Sequence, residues 1–309
     1  MLQHKHLLGL EGYPSKDIQT IIDTAFGFRK VLERPIKKVP SLQGKTVVNL
    51  FFEMSTRTRI SFELAQKRMS ADTVAFSAAS SSLNKGESFK DTVQNIEAMK
   101  IDAVILRHPA SGAPRHLTKF VDAIVINAGD GTHEHPTQAI LDMMSLQEQF
   151  NNLEGLKVGI IGDISHSRVA LSNIFGLTTM GADVMICGPS TLMPPHIEKL
   201  GVKVSYDMDE VVDWADAVNI LRIQLERMGT GLYPSIREYR ELFGLSVERI
   251  KRHSKDLVVM HPGPMNRGTE IDSAVADSDR AIILDQVLNG VASRMAILYL
   301  LLGGKMEEN

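Results

Sequence analysis

Thr46-Val47-Val48-Asn49-Leu50-Phe51-Phe52-Glu53-Met54-Ser55-Thr56-Arg57-Thr58-Arg59 runs from an apolar segment straight into a polar turn. Residues 46–50 read as a buried strand, and Ile60, Phe62, Leu64 and Ala65 follow at the spacing of an apolar helix face. The hydroxyl residues therefore fall at a strand-to-helix joint, where the first helical N–H groups have no partner within the helix and carry partial positive charge. The planar fork of Arg57 adds to those donors, a combination suited to a phosphate or another oxyanion. An N-cap followed by a solvated arginine pair is an equally good reading of such a turn, so by itself it leaves both open.

Outward from this joint, short apolar runs alternate with helical patterns along the whole chain, as parallel sheets built from βαβ units require. Strands are expected at 46–51, 73–76, 103–106 and 123–126, with helices at 57–69, 88–99, 115–120 and 136–150. Asn151-Asn152-Leu153-Glu154-Gly155 breaks the series. A second series follows, with strands near 157–161, 183–187, 203–206, 217–221 and 257–260, and a last helix at 285–302 whose apolar circumference predicts burial. The expected fold is α/β: two similar-sized doubly wound domains, each with a central parallel sheet flanked by helices.

At 309 residues the chain is long enough for two such cores, and 43% hydrophobic with 23% charged residues is ordinary globular composition. A net charge of -3 gives no support for general nucleic-acid binding, so affinity for anions has to come from local arginine and lysine. The single cysteine, Cys187, lies in an apolar run and reads as a small buried hydrophobe; it excludes an internal disulfide and any multi-cysteine metal site. The first residues lack the apolar core of a secretory signal, and the run at 295–302 is too short to span a bilayer, so a cytoplasmic, non-membrane enzyme is expected.

Polar clusters recur where strands end, the usual position of functional groups in such sheets. Arg107-His108-Pro109, His133-Glu134-His135-Pro136-Thr137-Gln138, Gly162-Asp163-Ile164-Ser165-His166-Ser167-Arg168, Leu221-Arg222-Ile223-Gln224 and His261-Pro262-Gly263-Pro264 each follow an apolar run. Each has a plainer reading. His135 before proline suits a helix start, Arg168 and Arg222 suit a surface, and Lys85 in the polar loop 78–87 suits a solvated side chain. His133 and His135 have the spacing of a metal pair, but no further ligand cluster has convincing spacing. Residues 158–163 lack the G-x-G-x-x-G nucleotide fingerprint.

Taken together, from about Lys45 to Arg294, these motifs resemble the aspartate/ornithine carbamoyltransferases. Ser55-Thr56-Arg57-Thr58-Arg59 looks like the family's carbamoyl-phosphate signature, and His135-Pro136-Thr137-Gln138 is similar to its second one. His261-Pro262-Gly263-Pro264 lacks the cysteine of the ornithine branch's H-C-L-P turn. Lys85 in a serine-rich loop and Arg222-Ile223-Gln224 resemble the aspartate branch, and a basic site suits a dicarboxylate while repelling an ornithine cation. The same turn departs from H-P-L-P, which leaves a regulatory-chain partner open.

The resemblance implies transfer of the carbamoyl group of carbamoyl phosphate to the α-amine of L-aspartate. The attack is direct, passing through a tetrahedral intermediate with no covalent enzyme intermediate, and is the committed step of pyrimidine biosynthesis. No metal or cofactor is implied. Ser55, Thr56, Arg57, Thr58 and Arg107 would hold the phosphate, and His135 and Thr58 the developing oxyanion. Gln138, Gly263 and Pro264 would hold the carbamoyl amine, and Arg168, Arg222, Gln224 and Lys85 the aspartate. Catalytic roles would fall to Arg57, Thr58, Lys85, Arg107 and His135. Residues 1–135 with 286–309 would form the carbamoyl-phosphate domain, 136–149 an interdomain helix, and 150–285 the aspartate domain. A homotrimer is implied in which Lys85 reaches a neighbour's active site, with regulatory or dihydroorotase chains as further partners left open. A carbamoyltransferase for another amine such as ornithine, a non-catalytic paralogue, and a metal hydrolase built on His133 and His135 are the alternatives.

Overall fold

Ile18, Ile21, Ile22, Ala25, Phe28, Val31 and Leu32 recur at three- and four-residue intervals and are all buried, which makes α1 (Ser15–Leu32) an amphipathic helix docked by one face. No element was expected in this part of the chain, although the periodicity is plain. Arg29 Nε donates to Asn289 Oδ1 at 2.9 Å and Phe28 meets Tyr299 edge-on, so α1 is fastened to the last helix of the chain. The computed structural model describes residues 2–77, 88–223, 235–253 and 256–303. The chain divides into two units, Met1–Met144 with Leu288–Asn309, and Ser145–Val287.

The first unit continues with β1 (Thr46–Phe51), α2 (Thr56–Arg68), β2 (Asp72–Ser77), α3 (Phe89–Glu97), β3 (Ala103–His108), α4 (Ala113–Leu117), β4 (Ile124–Asp130) and the start of α5 (Pro136–Phe150). Its four strands are parallel in the order β2-β1-β3-β4. Val48, Leu50, Val104, Leu106 and Val125 form the sheet's side of one buried cluster, and Val93, Ala113 and Leu117 the helices' side. Each such valine or leucine removed from water contributes about 1.5–3 kcal/mol. From β1 the chain steps outward to β2, and from β3 to β4 in the opposite direction, so the winding reverses between β1 and β3. In open α/β sheets ligands bind outside the carboxyl ends of the strands at such a reversal.

The second unit repeats the plan. It holds β5 (Lys157–Ile161), α6 (Arg168–Thr179), β6 (Asp183–Cys187), β7 (Lys203–Ser205), α7 (Met208–Trp214), β8 (Ala217–Ile220), α8 (Ile236–Phe243), α9 (Val247–Arg252), β9 (Val258–Met260), α10 (Ser273–Ala276) and the start of α11 (Ile283–Leu302). Five parallel strands lie in the order β7-β6-β5-β8-β9, reversing between β5 and β8. Close approach of the loops after β5 and β6 demands glycine: a Cβ on Gly188 would stand 2.2 Å from the Gly162 carbonyl oxygen.

The expected strands at 46–51, 157–161 and 183–187 and the helix at 136–150 coincide with the observed bounds, and the others shift at their ends. The helix expected at 115–120 lies at Ala113–Leu117, because Gly112 in the left-handed region starts it earlier. Arg107 and His108, expected just beyond β3, belong to it. The last helix is not buried throughout: Val287 is 53% exposed, as is Leu284, at 82%, one residue before its expected start. No helix among the described residues is long and apolar enough to cross a membrane.

Candidate active site

In the first unit Ser55–Arg59 follows β1 and Arg107 ends β3, on either side of the reversal, while His135 and Gln138 follow the neighbouring β4. Ser55 is the N-cap of α2, yet its side chain makes no capping hydrogen bond and the first turn contains no acidic residue. The helix terminus is thus left electropositive rather than neutralised from within. Thr56 and Arg57 are exposed on this turn, and Thr58 is buried against the unit. Arg59, next in the motif, pairs with Glu63 one turn along at 3.8 Å.

Strand pairing brings Arg107 beside this turn. The Phe52 N–H donates to the Arg107 carbonyl at 2.9 Å, and the Arg107 guanidinium lies 3.4 Å from Glu53 while Nη1 donates to the Ala128 carbonyl of β4. Glu53 thus orients the arginine, a role that its place in the motif does not reveal. His108 packs among Phe52 and Phe89, and burial pushes its imidazole below the ordinary value.

His135 and Gln138 are placed by the turn between β4 and α5. His135 is 4% exposed and precedes Pro136, the first residue of α5, whose missing N–H costs nothing there. Two buried carboxylates build the turn. Asp130 accepts from the Gly112, Asn127 and Glu134 nitrogens and pairs with His133 Nδ1 at 3.1 Å. Glu134 accepts from the backbone N–H groups of Leu10 and Glu11, tying the N-terminal segment to the turn. Neither carboxylate was singled out in the sequence: the partners of Glu134 come from distant positions, and the local partners of Asp130 form only once the turn is folded.

Burial alone would raise the Asp130 carboxyl, but hydrogen bonds from His133, Gly112 and Asn127 outweigh it and hold it below the usual carboxylate range. His133 is pushed above 6.5, first by its hydrogen bond to Asp130 and against the opposing effect of burial. A raised folded value means that this pair stabilises fully below the unfolded value and loses its effect as pH rises through the folded one. His133→Ala is therefore expected to lower the melting temperature at pH 6 and to leave it nearly unchanged at about pH 9. Melting curves of both proteins across that range check this. Engagement with Asp130 also gives His133 a role other than half of a metal pair. Among the described residues no group of three or more His, Cys, Asp or Glu is placed to hold a metal ion.

In the second unit Arg168 and Arg222 leave the adjacent ends of β5 and β8, where the Leu221 N–H donates to the Ile161 carbonyl at 2.8 Å. Arg168 is 4% exposed at the first position of α6, so the surface reading of this residue is corrected. Ser167 caps the helix through the Ala170 N–H. Asp163, fully buried, accepts from the His166 backbone N–H at 3.1 Å and pairs with its ring at 2.9 Å, shaping the loop that delivers Arg168. Beyond β9, buried His261 accepts from the Gly263 N–H at 2.8 Å and faces Glu270 at 3.4 Å, and Gln286 accepts from the His261 N–H. The Gly263 and Pro264 turn is thereby held from below, and Asn266 ties it to the Ile223 carbonyl. Lys85 and Gln224 lie outside the described residues. Cys187 is fully buried and burial pushes its thiol up to about 12, so it is no nucleophile at neutral pH.

Residues 5–148 match the aspartate/ornithine carbamoyltransferase carbamoyl-P binding domain, and residues 154–301 match the same family's Asp/Orn binding domain. Basic residues at the winding reversals of two α/β units suit such an enzyme, and the chain belongs to the aspartate/ornithine carbamoyltransferase family. Within the family it is 57% identical, over 98% of its length and 99% of the relative's, to the aspartate carbamoyltransferase catalytic subunit of Cytophaga hutchinsonii. Among solved structures it is similar to aspartate transcarbamoylase from Trypanosoma cruzi in complex with carbamoyl phosphate and aspartate. That likeness has a TM-score of 0.87 at 28% identity and covers 96% of this chain and 97% of that one. Ornithine carbamoyltransferase from Pyrococcus furiosus shares the fold at TM-score 0.85 and 28% identity, covering 97% and 98%.

Proposed function

We propose that this enzyme transfers the carbamoyl group of carbamoyl phosphate to the α-amine of L-aspartate, yielding N-carbamoyl-L-aspartate and phosphate for pyrimidine synthesis. The observation that carries the reading is the α2 terminus, uncapped and without acidic residues, with Arg107 delivered beside it by strand pairing.

The first unit takes carbamoyl phosphate. Ser55, Thr56, Arg57, Thr58 and Arg107 grip the phosphate with N–H groups, hydroxyls and guanidinium forks. His135 and Thr58 donate to the carbonyl oxygen as the amine adds and that oxygen gains charge, and one such donor is worth about 2.7–4 kcal/mol. The carbon–oxygen bond to phosphate then breaks, and the phosphate leaves with its electron pair and takes up the proton lost by the amine. Because phosphate is already a good leaving group, fixing the reactants is the larger task, worth about 7–11 kcal/mol in favourable cases. Gln138 and the Gly263 and Pro264 carbonyls accept from the carbamoyl amine.

The second unit takes aspartate, with Arg168 and Arg222 facing its carboxylates and Gln224 assisting. Lys85 serves the site of a neighbouring subunit in a homotrimer. The chemistry uses no cofactor, and a cytoplasmic location fits it. Incubating the protein with carbamoyl phosphate and a panel of amino acids tests the assignment. Phosphate release and carbamoyl product with aspartate alone are expected, whereas turnover with ornithine, or none with any amine, would overturn it.

A further inference from the structure

Gln138 Nε2 donates to Asp142 Oδ1 at 2.9 Å, one turn along α5. Gln138 is 9% exposed and Asp142 is fully buried. A carboxylate offers only acceptors, so a glutamine facing it must present its –NH₂ and turn its carbonyl oxygen away. The two-fold ambiguity of an amide side chain is thereby removed by chemistry.

Such an arrangement requires Asp142 to stay ionised in an interior that disfavours charge. Arg294 supplies the counter-charge. It is buried on α11, couples electrostatically to Asp142, and donates to the Gly290 carbonyl at 2.8 Å and to Thr137 Oγ1 at 3.4 Å. Its guanidinium lies over the Phe62 ring, 5.0 Å from the centroid, so the buried cation also sits beneath α2. Room for it comes from Gly290, where a Cβ would stand 2.7 Å from Arg294 Nη1. Burial lowers the Arg294 guanidinium to about 10, which leaves it cationic at neutral pH.

We infer that Asp142 and Arg294 are positioning residues that orient the Gln138 amide, so that its oxygen accepts an N–H of the substrate's carbamoyl group and the site rejects an acyl phosphate of the same shape. The inference rests on the proposed function, which places Gln138 against the carbamoyl amine. It adds the source of the discrimination between –NH₂ and –CH₃, since a site built to bond an N–H is penalised when the ligand lacks it.

The test compares binding of carbamoyl phosphate and of acetyl phosphate, its methyl isostere, to the full chain by calorimetry. Asp142→Asn keeps the shape but offers the glutamine a donor as well as an acceptor. Asp142→Asn with Arg294→Met removes both charges, and keeps the question answerable if the single variant leaves a lone buried cation and fails to fold. For each folded variant, carbamoyl phosphate is expected to weaken about tenfold and acetyl phosphate to change less than about twofold. Equal weakening of both ligands would mark Asp142 as merely structural, and an unchanged preference would remove it from recognition, so either result overturns the inference. Failure of the unaltered chain to bind carbamoyl phosphate would instead overturn the proposed function beneath it.

Discussion

Arg57→Ala is expected to cut kcat/KM for carbamoyl transfer by about a thousandfold or more while leaving the melting temperature nearly unchanged. Both halves follow from where the residue sits. Arg57 is exposed in the first turn of α2, and alanine is the better helix former, so the packed face carried by Phe62 and Ala65 is untouched. What disappears is a guanidinium fork beside a helix terminus that has no acidic residue of its own. In the proposed mechanism that fork counters charge which concentrates on the phosphate as it departs, so kcat should fall more than KM rises. Arg57→Lys keeps the charge but not the bidentate geometry, and its rate should lie between the two. Steady-state kinetics with a thermal melt decide the matter. Rates within about tenfold of the unaltered protein would remove the phosphate-site assignment.

Why some features were legible and others were not is a matter of range. The strand-to-helix joint at Ser55–Arg59 was legible because its pattern is local, an apolar strand, hydroxyls, an arginine and an amphipathic helix in immediate succession, whereas the turn alone left its chemical role open. Most strands were legible for the same reason, being short apolar runs buried on both faces, as β1, β5 and β8 are, whereas the partly exposed β2 was found by its apolar and β-branched residues. The supporting side chains act across the chain instead. Glu53 meets Arg107 only because β1 pairs with β3, Glu134 holds the backbone of Leu10 and Glu11, and Asp142 answers to Arg294 from the last helix. Buried charges of this kind look like surface residues until packing is known, as Arg168 illustrates. The exposed Val287 is the converse case, an apolar residue of a helix whose composition argued for burial. The helix α1 is different again, since its local periodicity was sufficient to find it.

Mixing two nearly inactive variants, Arg57→Ala and Lys85→Ala, should restore turnover if each site combines the Arg57 of one subunit with the Lys85 of its neighbour. In a cyclic trimer every interface is heterologous, so each site draws its lysine from one defined direction around the ring. A Lys85→Ala chain has an intact Arg57 and is complete when the adjoining chain is Arg57→Ala, which still carries lysine. After random exchange at equal concentration, that pairing arises at about a quarter of the sites, and activity should return to about that fraction of the unaltered enzyme. The expectation is steep because each parent should lack most of its activity, so even a few restored sites stand far above the background. Reversible dissociation and reassociation, with exchange verified by mass spectrometry of differently tagged chains, gives the measurement. Activity that stays at the sum of the parents after verified exchange would show that Lys85 serves its own subunit or none. The proposed phosphate role of Arg57 would survive that result, because it rests on the α2 terminus and Arg107 within one chain, but the proposed trimer would lose its catalytic reason.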